Sequence, residues 1–190
     1  MMTPLLFNLE NKKVLVVGGG KVATRRIATL FENGARIICV SLEFSHNLKK
    51  TQDEGLTLIE DSYKRDQLDN IDLVVAATNS EAINAQIKKD CKLLGIWCNR
   101  VDSPEESDFI FPSVIRRGDL TLSVCTEGAS PSLTKAIVDD LSQRYDESYI
   151  ERTALLRECR KRILEKNGDP QMLKDLVNYS NEALKEQLKK

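Results

Sequence analysis

Four consecutive apolar residues, Val14-Leu15-Val16-Val17, run directly into Gly18-Gly19-Gly20. A short β-branched run that is apolar on both faces is what a central parallel strand covered by helices requires. Beyond the glycines, Val22, Ala23, Ile27, Leu30 and Phe31 recur near helical spacing, which predicts a helix from Lys21 to Asn33 stopped by Gly34. The chain therefore opens as strand, tight turn, helix. The same alternation continues. Arg36 to Val40 reads as a second strand, a polar stretch around His46 to Glu54 as a helix, and Leu56 to Ile59 as a weaker third strand. Ile71 to Ala76 and Gly95 to Val101 read as a fourth and a fifth, joined by a helix from Glu81 to Leu94 whose stripe is Ile83, Ile87, Cys91 and Leu94. Strands alternating with helices predict a Rossmann-like, doubly wound parallel α/β sheet with right-handed crossovers.

The pattern changes near Pro112. Leu120 to Val124 alternates as a strand, Glu127-Gly128-Ala129 is a turn, and Ser130-Pro131 has the form of an N-cap followed by proline at the first helical position, with a helix to about Tyr145. Ile150, Ala154 and Leu155 begin a further amphipathic helix. Gly168-Asp169-Pro170 breaks it, and Met172, Leu173, Leu176, Val177 and Leu184 form the stripe of another. The expected organisation is a dinucleotide-binding domain over 1–112, a small α+β segment over 113–145 and a helical C-terminal tail over 146–190.

Composition narrows the function classes. With 28 Lys and Arg against 29 Asp and Glu, no global field recruits nucleic acid or an anionic membrane surface, so a polyanionic ligand must meet a local patch. The five cysteines, Cys39, Cys91, Cys98, Cys125 and Cys159, are odd in number and form no CxxC pair, which fits a reducing compartment. Residues Met1 to Glu10 lack the basic region of a signal peptide, and no apolar stretch is long enough to span a bilayer; a cytoplasmic location is expected. His46 is the single histidine, so a multi-histidine metal site is excluded, and no metal is expected.

Gly18-x-Gly20-x-x-Ala23 is a dinucleotide fingerprint with alanine in its third position, set between a strand and the helix it opens. Gly18 permits the tight turn, Gly20 lets the backbone approach a pyrophosphate, and Ala23 keeps helix and strand close. The first N–H groups of the helix, from Lys21 and Val22 onward, then face the phosphates. Glu43 follows Ala23 by 20 residues, just past the second strand with Ser41 and Leu42, where an acid can accept hydrogen bonds from the adenosine ribose. With no arginine directly after that strand, NAD is favoured over NADP; a solvated loop acid is the alternative for Glu43. Thr78 and Asn79 end the fourth strand at the same edge, either beside a cofactor or as caps of the following helix.

Asn99-Arg100-Val101-Asp102-Ser103-Pro104 closes the fifth strand and should bring the Asp102 carboxylate to the nicotinamide end of the cleft, unless Asp102 merely forms the turn before Pro104. Taken together, the blocks resemble the precorrin-2 dehydrogenase family of siroheme synthesis. They run from Pro4-Leu5 and Leu9 through Val14 to Ala23 with Arg25, then Gly34-Ala35, Val75-Ala76-Ala77-Thr78-Asn79 with Asn84, Asn99-x-Val101-Asp102, Phe109-Ile110-x-Pro112-Ser113, Arg117 and Thr126-x-Gly128-x-Ser130-Pro131. This resemblance covers about residues 3 to 141.

The resemblance implies an NAD-binding Rossmann domain, a small dimerisation domain with a homodimer built there, and oxidation of precorrin-2 to sirohydrochlorin with Asp102 as the functional carboxylate. Some members of that family also insert Fe²⁺. Here the tail from about Tyr145 matches weakly, and Glu127 stands where members usually carry a small residue, departures that bear on the chelation step. A tetrapyrrole bearing many carboxylates needs cations and N–H donors in its pocket. Arg100, Arg116, Arg117 and Lys135 are the candidate cations, with Asn99 and Ser130 as further contacts, Ser130 also reading as an N-cap. Asp102 can either take a proton or orient the ring. A regulatory NAD-sensing module is the competing class, although it would not need the Asp102, Arg117 and Ser130 blocks.

Overall fold

The computed structural model describes residues 2–51, 55–166 and 168–189. The chain divides into two compact units, Met1–Phe111 and Pro112–Lys190.

In the first unit the elements follow in the order β1 (Lys13–Val17), α1 (Lys21–Phe31), β2 (Arg36–Ser41), α2 (His46–Lys50), β3 (Leu56–Glu60), β4 (Leu73–Ala76), α3 (Glu81–Leu94) and β5 (Trp97–Arg100). The five strands make one parallel sheet in the order β3-β2-β1-β4-β5. This is the doubly wound arrangement expected, with its order reversing at β1, where such sheets bind ligands beyond their carboxyl ends.

The period-2 alternation of β1 explains why both faces are covered. Val14 and Val16 pack with Ala23, Ile27 and Leu30 of α1 and Leu48 of α2. Leu15 and Val17 point the other way, to Ile87 and Cys91 of α3 and to Leu68. These four β1 side chains are essentially inaccessible, each contributing about 1.5–3 kcal/mol of burial. Val22, read as part of the α1 stripe, instead sits exposed beside the glycine turn.

The differences from the sequence reading lie at element ends. Gly95 is not strand; with φ 69° it is the left-handed cap of α3, and Ile96 N donates to the Cys91 carbonyl at 3.0 Å. β5 therefore begins at Trp97. Likewise α1 ends at Phe31, before Gly34, whose φ of 80° turns the chain into β2. Residues 52–54, the end of the helix expected around His46 to Glu54, lie outside the described residues.

In the second unit, β6 (Ser113–Arg117) and β7 (Leu120–Val124) form an antiparallel hairpin, followed by α4 (Pro131–Arg144), α5 (Ser148–Glu165), α6 (Pro170–Asp175) and α7 (Asn181–Gln187). The sequence reading treated Leu120 to Val124 as a lone strand. Its partner β6 escaped notice because Ser113-Val114-Ile115-Arg116-Arg117 holds only two apolar residues, and only Ile115 is buried. The single helix expected from Met172 to Leu184 is in fact two, separated by a tight turn at Leu176–Asn178 and restarted by Ser180, whose hydroxyl accepts from Ala183 N at 3.2 Å. A Ser N-cap breaks a stripe that apolar periodicity alone would continue. Cys159, Leu176 and Leu184 make this unit's small core.

Candidate cofactor and active site

The carboxyl ends of β1, β2, β3 and β4 surround a cleft of about 410 Å³, lined by Gly18, Gly19, Gly20, Ser41, Leu42, Glu43, Tyr63, Thr78, Asn79 and Ile83 among others. Its floor exists because the glycines have no side chains. Gly18 has φ 123°, and a β-carbon there would stand 2.3 Å from the Ala77 carbonyl oxygen. At Gly19 it would stand 2.0 Å from the Glu43 carbonyl oxygen. Gly20 differs: its β-carbon would meet nothing within 4 Å and would project into open space. Gly20 is also the N-cap of α1 and provides no side-chain cap, and no acidic residue lies in the first turn. The helix thus presents uncapped N–H groups and the positive end of its dipole beside an open cradle, a fit to a dinucleotide pyrophosphate. Lys21 at the first helical position adds a cation.

The middle glycine was not singled out from sequence, because the fingerprint leaves that position open. The structure makes it the tightest of the three. Its carbonyl also accepts from Ser45 N at 2.9 Å, and Thr24 Oγ1 lies 3.1 Å from Ser45 Oγ, so the loop after β2 is bound to the turn after β1. Within that loop Ser41 Oγ donates to the Glu43 carbonyl at 2.7 Å, leaving the Glu43 side chain exposed on the rim. Asp61, after β3, lines the same cleft and pairs with Lys64.

Across the cleft, Thr78 Oγ1 lies 2.7 Å from Asn84 Oδ1, and Asn84 Nδ2 donates back to the Thr78 carbonyl at 3.1 Å. Neither Thr78 nor Asn79 caps α3; Ser80 does, accepting from Ile83 N at 3.4 Å. Asn84 is fully buried and was quoted in sequence only as part of a resemblance, since a polar residue on a helix stripe gives no signal of what it holds.

Asp102 follows β5 at this same carboxyl edge. The Arg100 guanidinium embraces its carboxylate, with Nη2 to Oδ2 at 2.8 Å and Nε to Oδ1 at 3.3 Å. Arg100 also binds Glu106, and its side chain is only 3% exposed. Its charge is therefore already matched by two carboxylates of its own loop. Asn99 is buried as well, donating through Nδ2 to the Phe109 carbonyl at 2.9 Å, while its Oδ1 has no hydrogen-bond partner. Ser107 Oγ accepts from Arg100 N at 2.8 Å and seals the turn. The Arg100 pairing holds the Asp102 carboxyl below the usual range against an opposing desolvation effect, with smaller help from its own backbone and the Asn84 amide. At neutral pH Asp102 is an anion in a fixed orientation and a weak base.

The remaining candidates lie in the second unit. Ser130 caps α4, accepting from Leu133 N at 3.2 Å, and its own N–H donates to Thr126 Oγ1 at 3.2 Å. Lys135 is exposed on α4, and Arg116 is exposed on β6. Arg117 Nε lies 3.4 Å from Glu147. Glu127 adopts φ 49°, a conformation that favours glycine, in the turn preceding Ser130.

A parallel five-stranded sheet with a glycine cradle at its reversal point defines a dinucleotide-binding α/β protein, and a family model described as NAD(P)-binding matches residues 5–113. The chain is 38% identical to a precorrin-2 dehydrogenase of Priestia megaterium over 160 residues, covering 84% of this chain and 79% of that one. The chain belongs to the precorrin-2 dehydrogenase family. A solved structure of SirC, precorrin-2 dehydrogenase, superposes with a TM-score of 0.80 at 33% identity, over 99% of this chain and 98% of that one. Siroheme synthases of a Psychrobacter species and of an Enterobacter species match at 38% and 36% identity, and the chain spans 27% and 30% of their respective lengths.

Two expectations follow from this geometry. Gly19→Ala should cost about 3 kcal/mol or more in chemical denaturation, because its β-carbon must displace backbone, whereas Gly20→Val should stay within about 1 kcal/mol of the unsubstituted protein and yet lose NAD⁺ binding. The Asp102 pair contributes stability at pH above the ordinary carboxylate value of about 4, and that contribution is lost as pH falls through the depressed folded value. Asp102→Asn should therefore lower neutral-pH stability by about 1–2 kcal/mol and flatten the acid limb of the stability profile; identical profiles would show that the pairing contributes nothing.

Proposed function

We propose that the chain oxidises precorrin-2 to sirohydrochlorin, with NAD⁺ as the electron acceptor. The observation that carries the reading is the placement of the glycine cradle and the Asp102 carboxylate at one edge of one sheet, in a chain of this family. Bound NAD⁺ supplies the hydride acceptor. Gly18, Gly20 and the first N–H groups of α1, from Lys21 through Ala23, hold the pyrophosphate, and Glu43 with Ser41 and Leu42 receives the adenosine ribose. Glu43 and Asp61 line the same region, and a 2′-phosphate would meet two carboxylates, which supports NAD over NADP. Thr78 and Asn79 line the opposite wall.

Asp102 orients the reduced macrocycle through a fixed negative charge; its pairing with Arg100 makes proton abstraction the less favourable of its two roles. Arg100 and Asn99 serve the substrate by holding that carboxylate and its loop. Arg116, Arg117, Lys135 and the α4 N-terminus at Ser130 are the proposed contacts for substrate carboxylates.

A homodimer built on residues 113 to 145 belongs to the same reading. Its support is apolar: α4 has no buried residue, and Leu133, Ile137 and Val114 are exposed. A cytoplasmic site of action fits a chain in which no described helix is long and apolar enough to cross a membrane and in which four of five free cysteines are buried.

Anaerobic incubation with precorrin-2 should produce sirohydrochlorin absorbance with NAD⁺ and little with NADP⁺; no turnover with either would leave a cofactor-sensing module as the better reading. Asp102→Asn should retain NAD⁺ affinity while turnover falls about a hundredfold, the cost of a misplaced reactant, and near-normal turnover in a stable variant would overturn its assignment. Light scattering at micromolar concentration should give the mass of two chains, and a single-chain mass would remove the dimer.

A further inference from the structure

β5 is an edge strand, so the backbone groups it turns outward have no neighbouring strand to receive them. Alternate residues of a parallel strand bond to alternate sides, and Val101 N donates inward to the Ala76 carbonyl, which leaves Cys98 and Arg100 facing out. The chain leaving β5 comes back to meet them. Ser107 Oγ accepts from Arg100 N at 2.8 Å and lies 3.1 Å from the Arg100 carbonyl oxygen. Asp108 N donates to the Cys98 carbonyl at 2.9 Å, and Asp108 Oδ2 accepts from Cys98 N at 2.8 Å. Residues 101–107 therefore form a loop closed at both ends on one strand, and Asp102 lies in it.

The second oxygen of Asp108 is held from α3, where Lys88 Nζ stands 2.5 Å from Oδ1. The Lys88 side chain is 17% exposed, whereas the other four ion-paired lysines among the described residues are 46–66% exposed. Shielding of this kind lets an ion pair keep one geometry where a solvated pair is screened and mobile. Packing of α3 on the sheet does not call for the pair, because Ile87, Cys91 and Cys98 already share an apolar cluster with Leu15 and Val17. What the pair adds is a fixed point for the returning chain. Arg100 holds the Asp102 side chain; Asp108 and Lys88 hold the far end of the loop that carries it.

We propose that Asp108, held by Lys88, is a positioning residue for the oxidation, acting through the 101–107 loop to set where the Asp102 carboxylate stands. Neither Asp108 nor Lys88 touches the reacting atoms in this scheme. This inference rests on the reading of the chain as a precorrin-2 dehydrogenase with Asp102 at its centre.

The test is anaerobic steady-state kinetics with precorrin-2 and NAD⁺, run beside NAD⁺ calorimetry and thermal unfolding. Asp108→Ala should lower kcat about tenfold, the scale of a slightly misplaced reactant, and leave NAD⁺ affinity unchanged. Lys88→Met should lower kcat several-fold, and Lys88→Arg, which keeps a cation, should restore it. In an Asp102→Asn background, Asp108→Ala should cost no further turnover, because the group it acts through is already lost. A merely structural role would give the same loss in both backgrounds and weaken NAD⁺ binding with it, and that pattern overturns the proposal. So does undiminished kcat in folded Lys88→Met. Should Asp108→Ala fail to fold, the Lys88→Met loss and its recovery in Lys88→Arg decide the matter. If the unsubstituted chain does not turn over precorrin-2, the functional reading falls and takes this one with it; if it does and the pattern is absent, only the positioning role falls.

Discussion

The carboxyl edge of the sheet depends on how closely the backbone at Gly18 and Gly19 approaches its neighbours. Hydrogen-bonded parallel strands fix where β1, β2 and β4 end, so the loops leaving them must share a narrow space. The Ala77 carbonyl from the β4 loop and the Glu43 carbonyl from the β2 loop fill positions that β-carbons would otherwise take. Because both approaches are made by backbone, no side-chain rearrangement can relieve a substitution. The consequence reaches the rim of the cleft directly: Glu43 is held there by the same loop that Gly19 and Ser45 anchor, and Gly20 faces open space.

A second constraint operates at β5, where a buried guanidinium organises the turn that carries Asp102. Arg100 is too buried to remain unpaired, and its two carboxylate partners come from within six residues of it. A buried charge satisfied locally gives the loop one arrangement, and that arrangement leaves Asp102 ionised and partly exposed. The same interaction that positions the carboxylate also makes it a poor proton acceptor, so structure and chemistry are coupled here. Orientation of a reactant is the task that a pinned, ionised group performs well.

The second unit works by different means. Its hairpin and helices bury few residues, and its small core of Cys159, Leu176 and Leu184 is confined to the terminal helices. α4 contributes no fully buried side chain, and its Leu133 and Ile137 are exposed. The turn before α4 is held by hydroxyls instead: Thr126, Ser130 and Thr134 bond among themselves and to the backbone. That network, with the Ser130 cap on Leu133 N, fixes the start of the helix.

By itself the sequence determined the sheet class, the strand-turn-helix start, the fingerprint and the place of Asp102 after the fifth strand. These are local: periodicity marks which faces are buried, and a glycine or a proline marks where the chain turns. β6 was invisible because a hairpin strand with one buried residue has no alternation to read, and the division of the last helix was invisible because Ser180 caps without disturbing the apolar stripe. Only the tertiary structure decided that Gly19 is the most crowded glycine, that Arg100 is paired with Asp102, that Asn84 braces Thr78 and that Tyr63 bonds to Asp90, 27 residues away. Each of these depends on which atoms from distant segments meet at a few ångströms, and such distances are set by the packing of the whole sheet with its helices, information that no single segment carries.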